Sequence, residues 1–183
     1  MATSSFGKRT AVRPSTRLCN VLLAGVLASM AGVSHGQSLF ESMRDSGPAG
    51  QAGGYVFVSE QVSDTALIPL ARDAQRAGFT LVVNGFWGDV NATRQRVARI
   101  NEACCAQNGA RWQINPMLFQ RYRVTAVPSF VLTVGPGDAP GDFSKVTGEM
   151  SVANALKFFA QQSKVPAVRR LAATTYRHAF ATQ

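Results

Sequence analysis

The chain has 183 residues, of which 19 are Lys or Arg and 10 are Asp or Glu, so its formal charge is +9 at pH 7. This length suits one domain with appendages rather than two domains, and a hydrophobic content of 46% is sufficient for a core. The basic residues are dispersed rather than interleaved with aromatic residues, and the sequence has neither a helix-turn-helix nor an RNP-like motif. Direct nucleic-acid binding is therefore not expected.

Residues 1–36 have the pattern of a secretory signal peptide. Their basic start precedes an uncharged apolar run, Val21 to Ala31, which at about 11 residues is shorter than the roughly 20 needed to span a bilayer. The small residues Ser34 and Gly36 are suitably placed for cleavage before Gln37, and a retained signal anchor is the alternative. Cleavage leaves 15 basic and 10 acidic residues, a formal charge of +5. The pattern predicts export to the periplasm.

The exported part of the chain alternates strand-type and helix-type segments after a flexible lead. Residues 37–53 have few large apolar residues and many turn formers, so they are predicted to lie outside the core. Segments rich in β-branched and aromatic residues are predicted to be strands: Tyr55–Ser59, Thr80–Asn84 and Arg111–Ile114. The second of these is nearly all apolar, which predicts burial on both faces of a sheet.

Two helices are predicted between these strands. The first is capped by Ser63 and ends at Gly78, with Pro69 either kinking it or delaying its start. The second runs from about Asn91 to Gln107. Its apolar stripe is predicted to contain five residues: Val90, Val97, Ile100, Ala103 and Cys104. Three arginines are predicted to lie mainly outside it: Arg94, Arg96 and Arg99.

The second half of the domain is organised around Val127 and Pro128. Because proline removes a ladder donor, this proline is predicted to mark the entry to a strand. A turn and the short strand Phe143–Thr147 follow, giving a hairpin with a loop longer than two residues. Asn115 and the proline after it form a helix start, and Ser151 is predicted to cap a later helix.

The segment from Gln113 to Phe130 resembles the second half of a thioredoxin fold. It begins with Gln-Ile-Asn-Pro and, after a short helix, continues from Tyr122 as Tyr-Arg-Val-Thr-Ala-Val-Pro-Ser-Phe. The resemblance implies a cis bond between Val127 and Pro128, facing the start of the first helix. With the alternating order of segments it implies an α/β fold, a thioredoxin-like mixed sheet flanked by helices.

The position at which thioredoxin-like oxidoreductases carry their reactive cysteines contains none here. In those enzymes a helix start after the first central strand stabilises the thiolate, but this stretch runs from Ser59 to Ser63. Neither serine has an adjacent base, because His178 is the one histidine after residue 36. Asp64 and Asp73 are predicted to be solvated charges. No catalytic residue, cofactor or metal ion is expected.

Cys104 and Cys105 are the cysteines that follow the signal peptide. They are adjacent within a predicted helix, so a disulfide between them is not expected because it would need a strained ring. Without a nearby histidine they also make a poor zinc site. Cys104 is predicted to be a small core residue and Cys105 a more exposed thiol. A periplasmic thiol-disulfide oxidoreductase or redox chaperone using this pair is the alternative function.

A cysteine-free thioredoxin-like pattern behind a signal peptide resembles the F-type conjugative pilus-assembly protein TrbC family. The resemblance covers roughly residues 54–162 and rests mainly on Ile-Asn-Pro-x-Leu-Phe-x-x-Tyr-x-Val-x-x-Val-Pro, which begins at Ile114. It implies a non-catalytic periplasmic component of a type IV secretion system that acts in pilus assembly through protein contacts. The related assembly protein TraW is the partner that it implies.

Residues 163–183 are predicted to form a basic amphipathic helix beyond this domain. The helix could pack back on its own domain or fray, dock on a partner, or lie on a membrane surface. Two candidate protein-binding surfaces follow. The first is a groove formed by Gln61, Ser63, Val127 and Pro128. The second is the apolar side of the tail, formed by Val168, Leu171, Tyr176 and Phe180.

The exported protein should begin at or near Gln37, because the small residues before it follow a run too short to be retained as a membrane span. N-terminal sequencing or intact mass of the periplasmic form measures this start. Full-length protein held in the inner membrane would contradict the prediction.

Overall fold

A computed structural model describes residues 52–105, 108–137 and 139–181. The predicted signal peptide and nearly all of the lead lie outside these residues. Gly53, the last residue assigned to the lead, belongs instead to the first strand. Within the described ranges, no helix combines the length and the apolar character that a membrane span requires.

The centre of the protein is a mixed sheet of five strands: β1 Gly53–Val58, β2 Thr80–Val83, β3 Arg111–Ile114, β4 Ser129–Thr133 and β5 Phe143–Thr147. Their order across the sheet is β3-β2-β1-β4-β5. The first three strands run parallel, whereas β4 is antiparallel to β1 and to β5. This arrangement confirms the predicted thioredoxin-like mixed sheet. Leu81, Val82 and Val83 are all buried, as their continuous apolar character predicted.

Five helices connect and cover these strands: α1 Asp64–Ala77, α2 Val90–Cys105, α3 Pro116–Arg121, α4 Val152–Gln162 and α5 Pro166–Phe180. The predicted caps are present, because the side chains of Ser63, Asn115 and Ser151 each accept a hydrogen bond from a backbone amide in the first turn. Gly78 ends α1 in the left-handed region at φ 69°. Pro69 does not delay the start of α1; it lies inside the helix on its exposed side.

The two faces of the sheet are covered unequally. Alternate strand residues such as Val56 and Leu81 join the larger core with α1, α2, α4 and α5. Their neighbours Phe57 and Val82 pack on the other face with Leu118 from the short α3. The consecutive parallel crossovers through α1 and α2 move across the sheet in one direction, which places both helices on the same face.

The predicted apolar stripe of α2 was partly wrong. Val90 is 48% exposed and Ala103 is exposed, while Thr93 is buried. The Thr93 hydroxyl accepts a hydrogen bond from the Trp87 backbone amide at 2.7 Å and donates one to the Asp89 carbonyl at 2.8 Å. This capping interaction turns a polar residue inward in the first turn of the helix, which spacing alone did not indicate.

The two adjacent cysteines also differ from their prediction. The structure joins Cys104 and Cys105 in a disulfide, and both are partly buried against the larger core rather than divided into a core residue and an exposed thiol. They are the last two residues of α2. The last turn of a helix has fewer backbone hydrogen bonds to hold its geometry than the middle does, so the peptide between these cysteines is less constrained than one inside the helix.

The tail helix α5 packs on the protein's own core. Val168 and Ala172 are completely buried, and Leu171, Tyr176 and Phe180 are partly buried against the same cluster. This corresponds to the first of the three alternatives for the tail, and Val168 has no surface left to offer a partner. Four basic residues of α5 are exposed, as in a basic amphipathic helix: Arg169, Arg170, Arg177 and His178.

Truncating Val168 to Ala should lower the free energy of unfolding by about 2 kcal/mol, because it leaves a cavity in a fully buried site. Urea denaturation followed by circular dichroism measures the change. Thr174→Ala, on the exposed side of the same helix, is the matched control and should change stability by less than about 0.5 kcal/mol. Equal effects of the two substitutions would show that the tail is not part of the folded core.

Candidate functional site

The predicted groove lies at the end of the sheet where β1 stops and β4 begins. The Val127–Pro128 peptide bond is cis, and these two residues line a groove of about 590 Å³ together with Gln61 and Ser63. Thus the structure brings together all four predicted groove residues, and the tail residues are not among those lining it. The volume is within the range of about 300–1,000 Å³ that is usual for binding cavities.

One wall of the groove is the loop between β1 and α1. A turn closes where the Val62 amide donates to the Ser59 carbonyl at 3.2 Å, and Ser63 then caps α1. None of the described residues lining the groove is Cys or His. The Ser59 hydroxyl is buried and has no hydrogen-bond partner among the described residues.

Arg96 of α2 holds this loop in place. Its Nη1 donates to the Glu60 carbonyl at 2.9 Å and its Nη2 to the Val62 carbonyl at 2.6 Å. The Nε donates to the Asp64 carboxylate at 2.7 Å, so one guanidinium fixes both the loop and the first turn of α1. The Arg96 side chain is only 18% exposed. A planar group with several fixed donors can satisfy such a set, which a lysine ammonium cannot.

Arg96 packs on the ring of Trp87, which packs in turn against Trp112. The guanidinium carbon lies 4.5 Å from the centre of the Trp87 ring, a distance at which a cation is attracted to the ring face. Trp87 packs edge-on against Trp112, with 5.8 Å between ring centroids. The Trp112 Nε1 donates to Asn101 Oδ1 at 3.0 Å. The position of the groove wall is therefore determined by contacts with α2 and β3.

The opposite wall is the proline loop, which is also held by hydrogen bonds. The Gly148 amide donates to the Pro128 carbonyl at 3.0 Å, and the Ser129 hydroxyl donates to the Ala126 carbonyl at 2.7 Å. Lys145 donates to the Tyr122 and Arg123 carbonyls upstream. Within the described part of the chain, no backbone hydrogen bond involves Val127.

Two acidic residues line the part of the groove that is next to the start of α4. They are Asp73 on α1 and Glu149 before α4. Burial raises the pKa of the Asp73 carboxyl, while Arg76 and the backbone amides of Ala153 and Val152 act in the opposite direction. Glu149 is exposed. These two carboxyls are the charged side chains among the described residues that line the groove.

Sequence reasoning missed the roles of Arg96, Asp64 and Asp73. Arg96 was placed outside an apolar stripe, and both aspartates were taken as solvated charges. In the structure Asp64 pairs with Arg96, and Asp73 is half-buried against the start of α4. Arg96 and Asp64 are 32 residues apart, and no local spacing signals a contact between two different helices.

The disulfide of Cys104 and Cys105 does not take part in this groove. It lies at the opposite end of α2 from the first turn, eight residues beyond Arg96, which is about 12 Å along a helix. The groove is a concave surface whose two walls are held by hydrogen bonds. Among the described residues, the backbone of Val127 on one wall has no hydrogen-bond partner.

A family model described as the type-F conjugative transfer system pilin assembly protein matches residues 56–159, more than half of the chain. The chain belongs to this family. Comparison with curated proteins finds no match. Among solved structures, a secreted Mycobacterium tuberculosis disulfide oxidoreductase homologous to E. coli DsbE is similar over 68% of this chain and 80% of that chain, with 14% identity and a TM-score of 0.39.

Family membership indicates a role in conjugative transfer, in the assembly of the pilin. The matched region contains the whole sheet apart from the first residues of β1, both walls of the groove and Arg96. It ends within α4, so α5 lies beyond it. The groove is therefore contained in the part of the chain that defines the family.

Replacing Arg96 by Met should lower the free energy of unfolding by about 2 kcal/mol, because hydrogen bonds to a charged donor contribute about 1.5–3 kcal/mol each and part of that is regained from water. Arg96→Lys should recover a fraction, since lysine keeps the charge but not the fork. Chemical denaturation at neutral pH measures both.

Arg94→Met, an exposed position on the same helix, is the control and should lie within about 0.5 kcal/mol of the unmodified protein. If Arg96→Met is no more destabilising than Arg94→Met, Arg96 does not hold the loop.

Proposed function

We propose that this protein is a non-catalytic periplasmic component of a type IV secretion system that acts in pilus assembly by binding other proteins. The groove between the β1–α1 loop and the proline loop is the proposed binding surface. Other transfer proteins are its proposed partners, with the related assembly protein TraW as the first candidate.

The observation that carries this proposal is that, among the described residues, the backbone N–H and C=O groups at Val127 lie unpaired beside a groove whose walls are held by hydrogen bonds. Val127 lies just before β4. An extended segment of a partner can form hydrogen bonds with unpaired backbone groups there, so that these bonds provide affinity and neighbouring pockets provide specificity. Within the described residues the Val127 backbone has no partner, and the wall opposite is fixed by Arg96. A fixed wall reduces the ordering cost of binding.

The composition of the groove supports binding without catalysis. The loop from Ser59 to Ser63 has no cysteine at the position where related oxidoreductases react. A scaffold can retain its fold while its function depends on a different use of the same surface.

Filling the groove should impair pilus assembly. Ala66 is an exposed lining residue on α1, and Ala66→Trp would place a large ring in the space that a partner segment needs. We expect DNA transfer from a strain that lacks the gene and carries this variant to fall by about tenfold or more, since a loss of about 1.4 kcal/mol weakens binding tenfold. Conjugation frequency measures the effect.

Ala98→Trp, an exposed position on α2, is the matched control and should leave transfer unchanged. Both variants must reach the periplasm in equal amounts and melt like the unmodified protein. Normal transfer with Ala66→Trp would refute the groove as the functional surface.

The rival function, thiol-disulfide exchange, is favoured by the disulfide between Cys104 and Cys105. The same assay distinguishes it, because substituting both cysteines by serine should leave transfer close to normal if the protein acts by binding. A large loss of transfer by a folded double variant, together with disulfide reductase activity of the unmodified protein, would establish the rival function.

A further inference from the structure

The groove differs in charge from the rest of the protein. After signal cleavage the chain has five more basic than acidic residues, yet the described residues lining the groove include Asp73 and Glu149 and neither Lys nor Arg. A cationic segment is therefore repelled by the net charge of the protein and attracted by the two carboxylates that line this groove. Charge arranged in this way contributes to partner selection more than to affinity.

We propose that the groove binds an extended protein segment that carries a lysine or arginine side chain beside apolar residues. This inference rests on the proposed binding function of the groove and specifies the chemistry of its occupant. The apolar part of the segment would face the apolar lining of the groove, and the cation would face the two carboxylates.

The apolar lining lies between the two walls. It is formed by Val62, Ala66, Pro69, Leu70, Pro128 and Met150. An extended chain alternates its side chains from one side to the other and advances about 3.3 Å per residue. A segment paired with the Val127 backbone would therefore direct every second side chain towards this lining.

The acidic part of the groove lies towards the start of α4. Asp73 faces the backbone amides of Val152 and Ala153, and Glu149 is two residues before the Ser151 cap. The nearest cations are on the same helix as Asp73. Arg72 directs its Nε to the Cys104 carbonyl on α2 at 3.3 Å, away from the groove, and Arg76 is exposed. Glu149 has no ion pair within the described residues.

Three fluorescein-labelled octapeptides test the proposal. Each is N-acetylated and consists of alternating valine and alanine, with one central position occupied by lysine, norleucine or glutamate. Fluorescence anisotropy with the mature protein, which begins at or near Gln37 and keeps the C-terminal tail, measures the dissociation constants. We expect the lysine peptide to bind about tenfold more tightly than the norleucine peptide, because two partly exposed charge pairs contribute about threefold each.

Charge variants identify the residues responsible. Glu149→Gln and Asp73→Asn should each reduce the advantage of the lysine peptide by about threefold, and Glu149→Lys should abolish it, because the new cation offsets the remaining Asp73 carboxylate. Raising the salt concentration should reduce the preference without abolishing binding of the norleucine peptide. Glu102→Gln, an exposed carboxyl on α2, is the control and should change nothing. Because Glu149 is exposed, its variants test the proposal even if Asp73→Asn does not fold.

The outcomes separate this inference from the proposed function. Equal binding of all three peptides, lost in Ala66→Trp, would overturn the charge preference and leave the groove as a peptide site. No binding of any peptide would overturn both. A lysine preference that persists in Glu149→Gln and in Ala66→Trp would place the site elsewhere and overturn this inference as well.

Discussion

The arrangement of the groove depends on one guanidinium group. Arg96 projects from the second helix and binds two carbonyls of the loop after β1 and the carboxylate of Asp64, while its flat face rests on Trp87. Its position is fixed in turn by the packing of Trp87 against Trp112 on β3. Three elements that are distant in sequence therefore meet at the wall of the groove, and the strength of the arrangement comes from charge-assisted hydrogen bonds in a partly desolvated site.

The unequal cover of the sheet explains why the tail belongs to the fold. The face that carries four helices needs α5, because Phe159 and Val168 pack in the same cluster as the β4 residue Leu132. The opposite face is closed by the short α3 and an aromatic group in which Phe57 meets Phe119 at 4.8 Å and Tyr122 meets Phe143 at 4.9 Å. Large rings compensate there for the small helix, since each buries a large apolar area.

Local patterns in the sequence were sufficient for the elements, the caps and the position of Pro128 at the entry to a strand, whereas the cis bond before it was predicted from a resemblance. Ser63, Asn115 and Ser151 each satisfy a nearby amide, an interaction that depends on residues three apart. Contacts across the fold were not predictable in this way. The groove was predicted from a resemblance, but Arg96 and the acidic lining were not, because their partners belong to other helices. Gly54 is a further example: a Cβ there would clash with the Phe79 ring, a requirement visible only after β1 and the residue preceding β2 have met.

The clamp of Arg96 on the β1–α1 loop has an evolutionary consequence. Its loop contacts are to carbonyl oxygens of Glu60 and Val62, and every amino acid supplies a carbonyl. This hold does not depend on which side chains the two residues carry, although Val62 packs against the larger core and Ser63 caps α1. Gln61, which lies between the two carbonyls, lines the groove and is exposed, so the surface of this wall can change there at little cost in stability.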